Sequence, residues 1–366
     1  MSRAQGPAPS PGRSAGPSAG PRAARERSAV PPSRLAEVVG HRLQREQLER
    51  QVRLSALAHA YWITGPSRVG KTTLALALAS ELLDAGSWPG GLAAHPDFWL
   101  DDQPGSLGVD RVRGPEGELG PSLQHYLSLS AYASGPKVAV LANADRLSLP
   151  AANSLLRILE EPPAESILIL TTSRPESLPA TLRSRCQQLG LGPVAAPLIS
   201  AWLAELGWPA ADCELAAAIS EGRPGLALEL VSDPELATRT AGLLDSFLAC
   251  APRGPAGWLE LSRELAERGR ERELAPEALR IWAAFLRTCC ALAAGAPPPQ
   301  APPAFLRAGE AWAQQLGLSG CLRRYDLAVE GLSRLAEGAT ARLVLDRLLL
   351  LTFGDPDPQP RAVLGR

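Results

Sequence analysis

Short, almost continuously apolar runs recur through the first two hundred positions, and segments with helical spacing separate them. Residues 60–63, 137–141 and 167–172 are runs of this kind, the pattern of strands buried on both faces of a parallel sheet. A shorter run over residues 95–100 reads as a further strand. Ahead of the first run, Leu43, Leu48, Val52, Leu54 and Leu57 predict a helix with one packed apolar face. An alanine- and leucine-rich helical pattern covers residues 73–83. A further stretch starts at 109–113, and residues 123–129 have helical content. Pro150 opens a helix through Ala152, Leu155, Leu156 and Leu159, which Pro162 and Pro163 stop. Strands alternating with helices predict a parallel α/β sheet.

After about Pro197 the strand signal ends. Residues 198–237 read as a few short helices punctuated by Gly222, Pro224 and Gly225. From 243 to 353 long leucine/alanine patterns dominate, interrupted by a proline-rich loop at 297–303. Trp258, Trp282 and Trp312 fall inside helical patterns and read as core anchors rather than base-stacking platforms. The last pattern, residues 339–353, is nearly continuous leucine and calls for burial in a core or against a partner. The expected division is a tail at 1–33, an α/β domain at 34–195, a small helical unit at 196–238, a second helical domain at 239–354 and a tail at 355–366.

Composition narrows this picture only a little. The 37 basic and 38 acidic side chains of the 366-residue chain nearly cancel, for a formal charge of −1. That balance demands no nucleic-acid partner. Residues 1–33 are mostly Pro, Gly, Ala, Ser and Arg, with Glu26 the only acid, too few apolar groups to offset ordering. The six cysteines show no C-x-x-C spacing, so packed free thiols are expected and no zinc site. No apolar run approaches the roughly 20 residues that span a bilayer. Without an early apolar stretch there is also no secretory leader, and a cytoplasmic location is expected.

The chemistry concentrates after the first apolar run. Gly65 through Thr72 fits G-x-x-x-x-G-K-[ST], with a predicted strand before it and a helix after it, which is the context the phosphate-binding loop needs. Gly65 and Gly70 let the backbone curl so that amide N–H groups point at phosphate oxygens. The helix N-terminus adds partial positive charge. Gly65, Ser67, Gly70, Lys71, Thr72 and Thr73 are therefore the candidate phosphate contacts. Lys71 would reach the β- and γ-phosphates, and the Thr72 hydroxyl would take a magnesium position. A phosphate-loop kinase of small molecules is disfavoured, because such enzymes need an acid to orient the acceptor and no lid cluster of arginines is visible.

Several further stretches converge on one family. Val39-Gly40-His41, His59 through Gly65, His95-Pro96-Asp97, the helix ending Leu159-Glu160-Glu161-Pro162-Pro163, and Ser184-Arg185-Cys186 together resemble the bacterial DNA polymerase III clamp-loader subunits of the AAA+ superfamily. The resemblance covers roughly residues 35–240 by motif. It implies an AAA+ α/β domain, a small helical lid and an all-α collar within a ring-shaped assembly. The assembly's other members would be tau/gamma and delta subunits, and it would open a sliding clamp and place it on primed DNA. ATP or ADP with magnesium is the nucleotide the resemblance implies.

Two departures favour the delta-prime branch over the ATP-hydrolysing tau/gamma branch. The metal-holding Asp and the water-polarising Glu expected after the strand at 137–141 fall at Ala142 and Asn143, and neither replacement supplies the charge. Gly225 stands where the hydrolysing branch presents an arginine to the γ-phosphate. The resemblance implies that Arg185 is kept as an arginine finger, offered in trans to a neighbour's nucleotide. It also puts Thr172, at the end of a strand, at the phosphate-sensing position; simple strand capping by a threonine is the other reading. The competing expectation is an active ATPase of tau/gamma type, favoured by the intact loop and opposed by Ala142 and Asn143. Glu160 and Glu161, adjacent on a helix and about 100° apart, do not suit a shared catalytic role and read as a helix-end signature.

Overall fold

The computed structural model describes residues 34–103, 105–114, 121–133, 135–267, 274–297 and 303–354. The expected terminal tails and most of the proline-rich loop lie outside these residues.

Among the described residues, five strands form one wholly parallel sheet: β1 (Ala60–Thr64), β2 (Phe98–Asp101), β3 (Lys137–Leu141), β4 (Ser166–Thr172) and β5 (Gln187–Gly190), in the order β2-β3-β4-β1-β5. The register aligns Thr64 with Thr172 on one side and with Gly190 on the other. The C-terminal ends of β4, β1 and β5 are therefore level, and the loops that leave them meet. Strand β3 stops lower, with Leu141 opposite Leu170.

Among the described residues, nine helices surround the sheet or follow it closely: α1 (Arg42–Arg53), α2 (Lys71–Leu82), α3 (Val109–Arg113), α4 (Leu123–Ser128), α5 (Leu149–Glu160), α6 (Ala180–Arg183), α7 (Ala196–Glu205), α8 (Ala210–Ile219) and α9 (Pro224–Val231). The chain then continues through α10 (Leu236–Leu248), α11 (Gly254–Glu267), α12 (Leu274–Ala293), α13 (Pro303–Ala336, broken at Gly317 where φ is 62°) and α14 (Ala341–Phe353).

Side chains alternate across each strand, so the two faces of the sheet receive different partners. Tyr61, Ile63, Val138, Val140, Ile167 and Ile169 face Leu74, Ala77 and Leu78 of α2. Trp62, Ala139, Leu141, Leu168 and Leu170 face Leu155, Ile158 and Leu159 of α5. The helices from α7 to α14 share a third, continuous cluster running from Ile199 to Phe353. At its centre Phe247 stacks on Trp282, with ring centroids 4.8 Å apart, and on Trp312 at 5.5 Å. Trp258, Trp282 and Trp312 are all buried, as the helical pattern requires. Arg324 is buried with them and donates from Nε to the carbonyl of Thr352 in the last turn of α14 (3.0 Å), a place where the helix dipole favours a cation.

The first helix departs from its expected packing. It ends at Arg53, short of Leu57, and Leu43 and Leu54 are 76% and 64% exposed, while Leu48 is fully buried. The helix docks mainly through polar groups instead. Gln44 donates to the carbonyl of Gly190 (2.8 Å), and Gln51 bonds both Gln187 (3.0 Å) and the Tyr61 hydroxyl (3.0 Å). The Gln44 bond takes up a backbone carbonyl on the open edge of β5, a strand the apolar pattern did not announce because its sequence is Gln-Gln-Leu-Gly. A sheet edge can be satisfied by such side chains as well as by another strand.

Candidate nucleotide and arginine-finger site

The loop between β1 and α2 has the curvature its glycines permit. Gly65 and Gly70 adopt φ of 149° and 109°, and a Cβ on Gly65 would lie 2.4 Å from the carbonyl oxygen of Leu191, so only glycine fits. Ser67 and Thr73 are exposed, Thr72 is half-buried and Lys71 is buried. Lys71 Nζ turns back into the loop, donating to the carbonyls of Gly65 (2.9 Å) and Pro66 (2.7 Å) and to Ser173 Oγ (2.8 Å). Burial pulls its amine down to about 8, against the opposing pull of nearby Asp145.

The same loop is fastened from two sides. His41 donates from Nε2 to the carbonyl of Val69 (2.9 Å). The amide of Gly225, in the first turn of α9, donates to the carbonyl of Arg68 (2.9 Å), and the Arg68 guanidinium pairs with Glu229 one turn further along. A Cβ on Gly225 would meet the Arg68 carbonyl oxygen at 3.0 Å. Any larger side chain there would press tightly on the loop backbone. Arg223 points elsewhere, pairing with Glu221 (2.9 Å) and with the carbonyl of Ser220 (3.1 Å).

At the end of β3 the surroundings suit a cation poorly. Ala142 offers only its carbonyl, and that accepts from Arg146 Nη2 (2.9 Å). The nearest acid on the neighbouring strand, buried Asp101, is paired with Arg111 (2.6 Å) and Arg146 (3.1 Å). Asp145 is committed as well: its Oδ1 accepts from the Thr172 hydroxyl (2.9 Å) and the Ser173 amide (3.3 Å). Thr172 also accepts from the amide of Arg174 (3.0 Å), and Thr171 accepts from the amide of Asn143 (3.0 Å). Both threonine hydroxyls are therefore engaged in fixing the loops beyond β3 and β4. The loop curl and the buried Lys71 amine have the chemistry for a phosphate group. The acids near the end of β3, Asp101 and Asp145, are hydrogen-bonded within the chain, so a magnesium ion at Thr72 would rely on phosphate oxygens and water or displace one of those bonds.

Arg185 lies away from this loop, in the turn between α6 and β5. Its Nη2 donates to Glu160 at the end of α5 (2.7 Å) and its Nη1 to the carbonyl of Thr181 (3.0 Å), and 36% of its side chain faces solvent. Cys186 beside it packs in the core against α5 and α6, and burial pushes its thiol up to about 12, well above the range of a reactive thiolate. The structure thus separates the expected site residues into two groups: the loop residues, Lys71 and Thr172 at the ends of β1 and β4, and Arg185 apart from them. The sequence reading took Glu160 only as a helix-end signature and missed Arg146, Ser173 and the pair Arg68–Glu229. Arg146 had one signal, a cation shortly after the strand that lacks its acids; the others depend on tertiary contacts. His95 and Asp97 sit at the opposite edge of the sheet. There buried Asp97 accepts from the amides of Tyr132 (2.8 Å) and Ala133 (2.7 Å), a structural role.

The chain contains only two lysines, Lys71 and Lys137, and both are buried. Lys71 titrates below an ordinary lysine, so between about pH 8 and 10 the folded state binds fewer protons than the unfolded one. Its charge opposes folding at neutral pH, and that penalty is relieved as pH rises through this window. In protein labelled with ¹³C-lysine we expect two ε-carbon signals, the Lys71 signal moving with a midpoint near 8 and Lys71→Arg removing it. Added ATP should raise the midpoint if phosphate seats beside the amine. A midpoint above 10 in the free protein would mean that the amine is open to water.

Residues 95–195 match the family described as DNA polymerase III, delta subunit. The chain is 40% identical over 154 residues to the DNA polymerase III subunit delta' of Escherichia coli (strain K12), covering 41% of this chain and 42% of that protein. It is 33% identical over 184 residues to the subunit delta' of Pseudomonas aeruginosa, covering 46% and 54%. A tau subunit is also related: that of Bacillus subtilis (strain 168) is 29% identical over 172 residues, covering 43% and 29%. The matches span about half the length of these delta' relatives, and less of the tau relative. No helix among the described residues is long and apolar enough to cross a membrane.

Proposed function

Because the chain is kin to the DNA polymerase III delta' subunits, we propose that it is the delta'-like subunit of a clamp loader, a scaffold that hydrolyses no ATP itself. In this reading it joins tau/gamma- and delta-type subunits in a ring that opens a sliding clamp and places it on primed DNA. The carrying observation is at the end of β3: a guanidinium, Arg146, lies against the carbonyl of Ala142 where hydrolysis needs a metal-holding acid. Gly225 is consistent with the same reading, since it carries no side chain that could reach the chain's own phosphates and its amide holds the Arg68 carbonyl instead.

Within the chain, the loop amides and Lys71 would hold a phosphate group if nucleotide binds, with Ser67, Thr72 and Thr73 lining its mouth. A bound nucleotide would supply negative charge to satisfy Lys71 in place of the loop carbonyls. Arg185 would act outward, its guanidinium stabilising charge on the transferring phosphoryl group of a nucleotide held next door. The cytoplasm is the proposed location.

Steady-state hydrolysis by the purified chain tests the scaffold reading directly. We expect turnover indistinguishable from buffer. A rate on the order of 1 s⁻¹, in the range of working phosphoryl-transfer enzymes, would sink the proposal in favour of the tau/gamma-type alternative.

A further inference from the structure

We propose that Glu160 is the positioning residue of Arg185, holding its guanidinium in the orientation that meets a neighbour's phosphate. The inference rests on the arginine-finger reading and adds a second residue to it. Glu160 ends α5, and its Oε1 accepts from Arg185 Nη2 at 2.7 Å, while the carbonyl of Thr181 accepts from Nη1 at 3.0 Å. The two anchors belong to α5 and α6, which pack together through Leu155, Leu159 and Leu182 in the core. Both terminal nitrogens of the guanidinium are thus tied to rigid elements. Of its five N–H groups, two are used and the remainder are left for incoming oxygens.

The placement of Glu160 has its own physical argument. A carboxylate in the last turn of a helix opposes the helix dipole, so this is a poor site for an acid unless a cation compensates it. Arg185 is that cation, and Pro162 and Pro163 stop the helix so that the carboxylate sits at its very end. A long arginine on a surface turn would otherwise have to be ordered at every encounter, a cost of about two- to ten-fold in rate. Holding it in place beforehand removes that cost. Glu160 touches no reacting atom in this arrangement; it acts through Arg185.

The test uses the full chain reconstituted with the tau/gamma- and delta-type subunits, sliding clamp and primed DNA of its own organism. Glu160→Ala should lower the single-turnover rate of stimulated ATP hydrolysis about five-fold, with ATP affinity and assembly of the complex unchanged. Glu160→Gln keeps an oxygen acceptor and should stay within about two-fold of the unsubstituted chain. Arg185→Ala should be slower than either, and Glu160→Ala added to it should cost nothing more, because the two residues act as a unit. A Glu160→Ala rate equal to or above the unsubstituted one, with Arg185→Ala still slow, would overturn the positioning role and leave the finger standing. A double variant slower than Arg185→Ala alone would overturn it too. No effect of Arg185→Ala would instead remove the finger reading itself.

Discussion

Replacing Arg185 by alanine is expected to slow stimulated ATP hydrolysis at the adjoining site of the assembled complex on the order of 10³-fold. Arginine fingers act on charge that develops in the transition state, so the loss belongs in kcat rather than in nucleotide affinity. The expectation sits at the low end of the known range because Arg185 is about one-third exposed, and water screens part of its field until the neighbour closes over it. Lysine at this position should recover little, since an ammonium cannot keep the Glu160 and Thr181 bonds and also fork onto phosphate. Single-turnover hydrolysis under saturating clamp and primed DNA reads the effect. Several nucleotide sites in one ring would mask it in the steady state. An unchanged single-turnover rate would reduce Arg185 to a surface ion pair, worth at most about 1 kcal/mol of stability.

The second large effect concerns folding. Trp282→Ala should destabilise the helical part of the chain by about 3–5 kcal/mol. The indole is fully buried, stacks on Phe247 at 4.8 Å, and donates from Nε1 to the carbonyl of Leu243 at 3.0 Å. Its removal opens a cavity against the Phe247 ring, which is itself held by its stack on Trp312 and is too stiff to collapse into it. Trp282→Phe keeps the stack, loses the hydrogen bond, and should cost about 1–2 kcal/mol. Denaturant midpoints at constant m would measure both. Because the cluster around Trp282 includes no strand of the sheet, helical signal should fall before the sheet unfolds. A Trp282→Ala midpoint within error of the parent would mean that this core tolerates voids.

The sheet was largely legible in the sequence because its inner strands are apolar on both faces, and the phosphate loop because its residues are fixed by spacing. Strand β5 was not, since an edge strand of Gln-Gln-Leu-Gly has no apolar run to reveal it. The docking of α1 was misread for a related reason: the pattern counts leucines, whereas the helix is held by Gln44 and Gln51 as well as by Leu48. At the site, the loss of acids at 142 and 143 was visible residue by residue. What could not be seen was how the remaining charges are spent. Asp145 on Thr172, Asp101 on Arg111 and Arg146, and Glu160 on Arg185 are partnerships between segments distant in sequence. Spacing along a chain carries no information about which acid meets which base.

The fastening of α9 to Arg68 gives the phosphate loop a second occupation. Its carbonyls at 68 and 69 are the hooks on which α9 and His41 hang, and Gly65 leaves the space that the Leu191 carbonyl fills. A chain that never turned over a nucleotide would still use this curl of backbone to anchor the first turn of α9, beside the bond from the Val194 amide to the Gly222 carbonyl. The glycines and the turn they make are then a keystone as much as a cradle. Damage at Gly65 should appear first as a protein that falls apart, whether or not ATP is present.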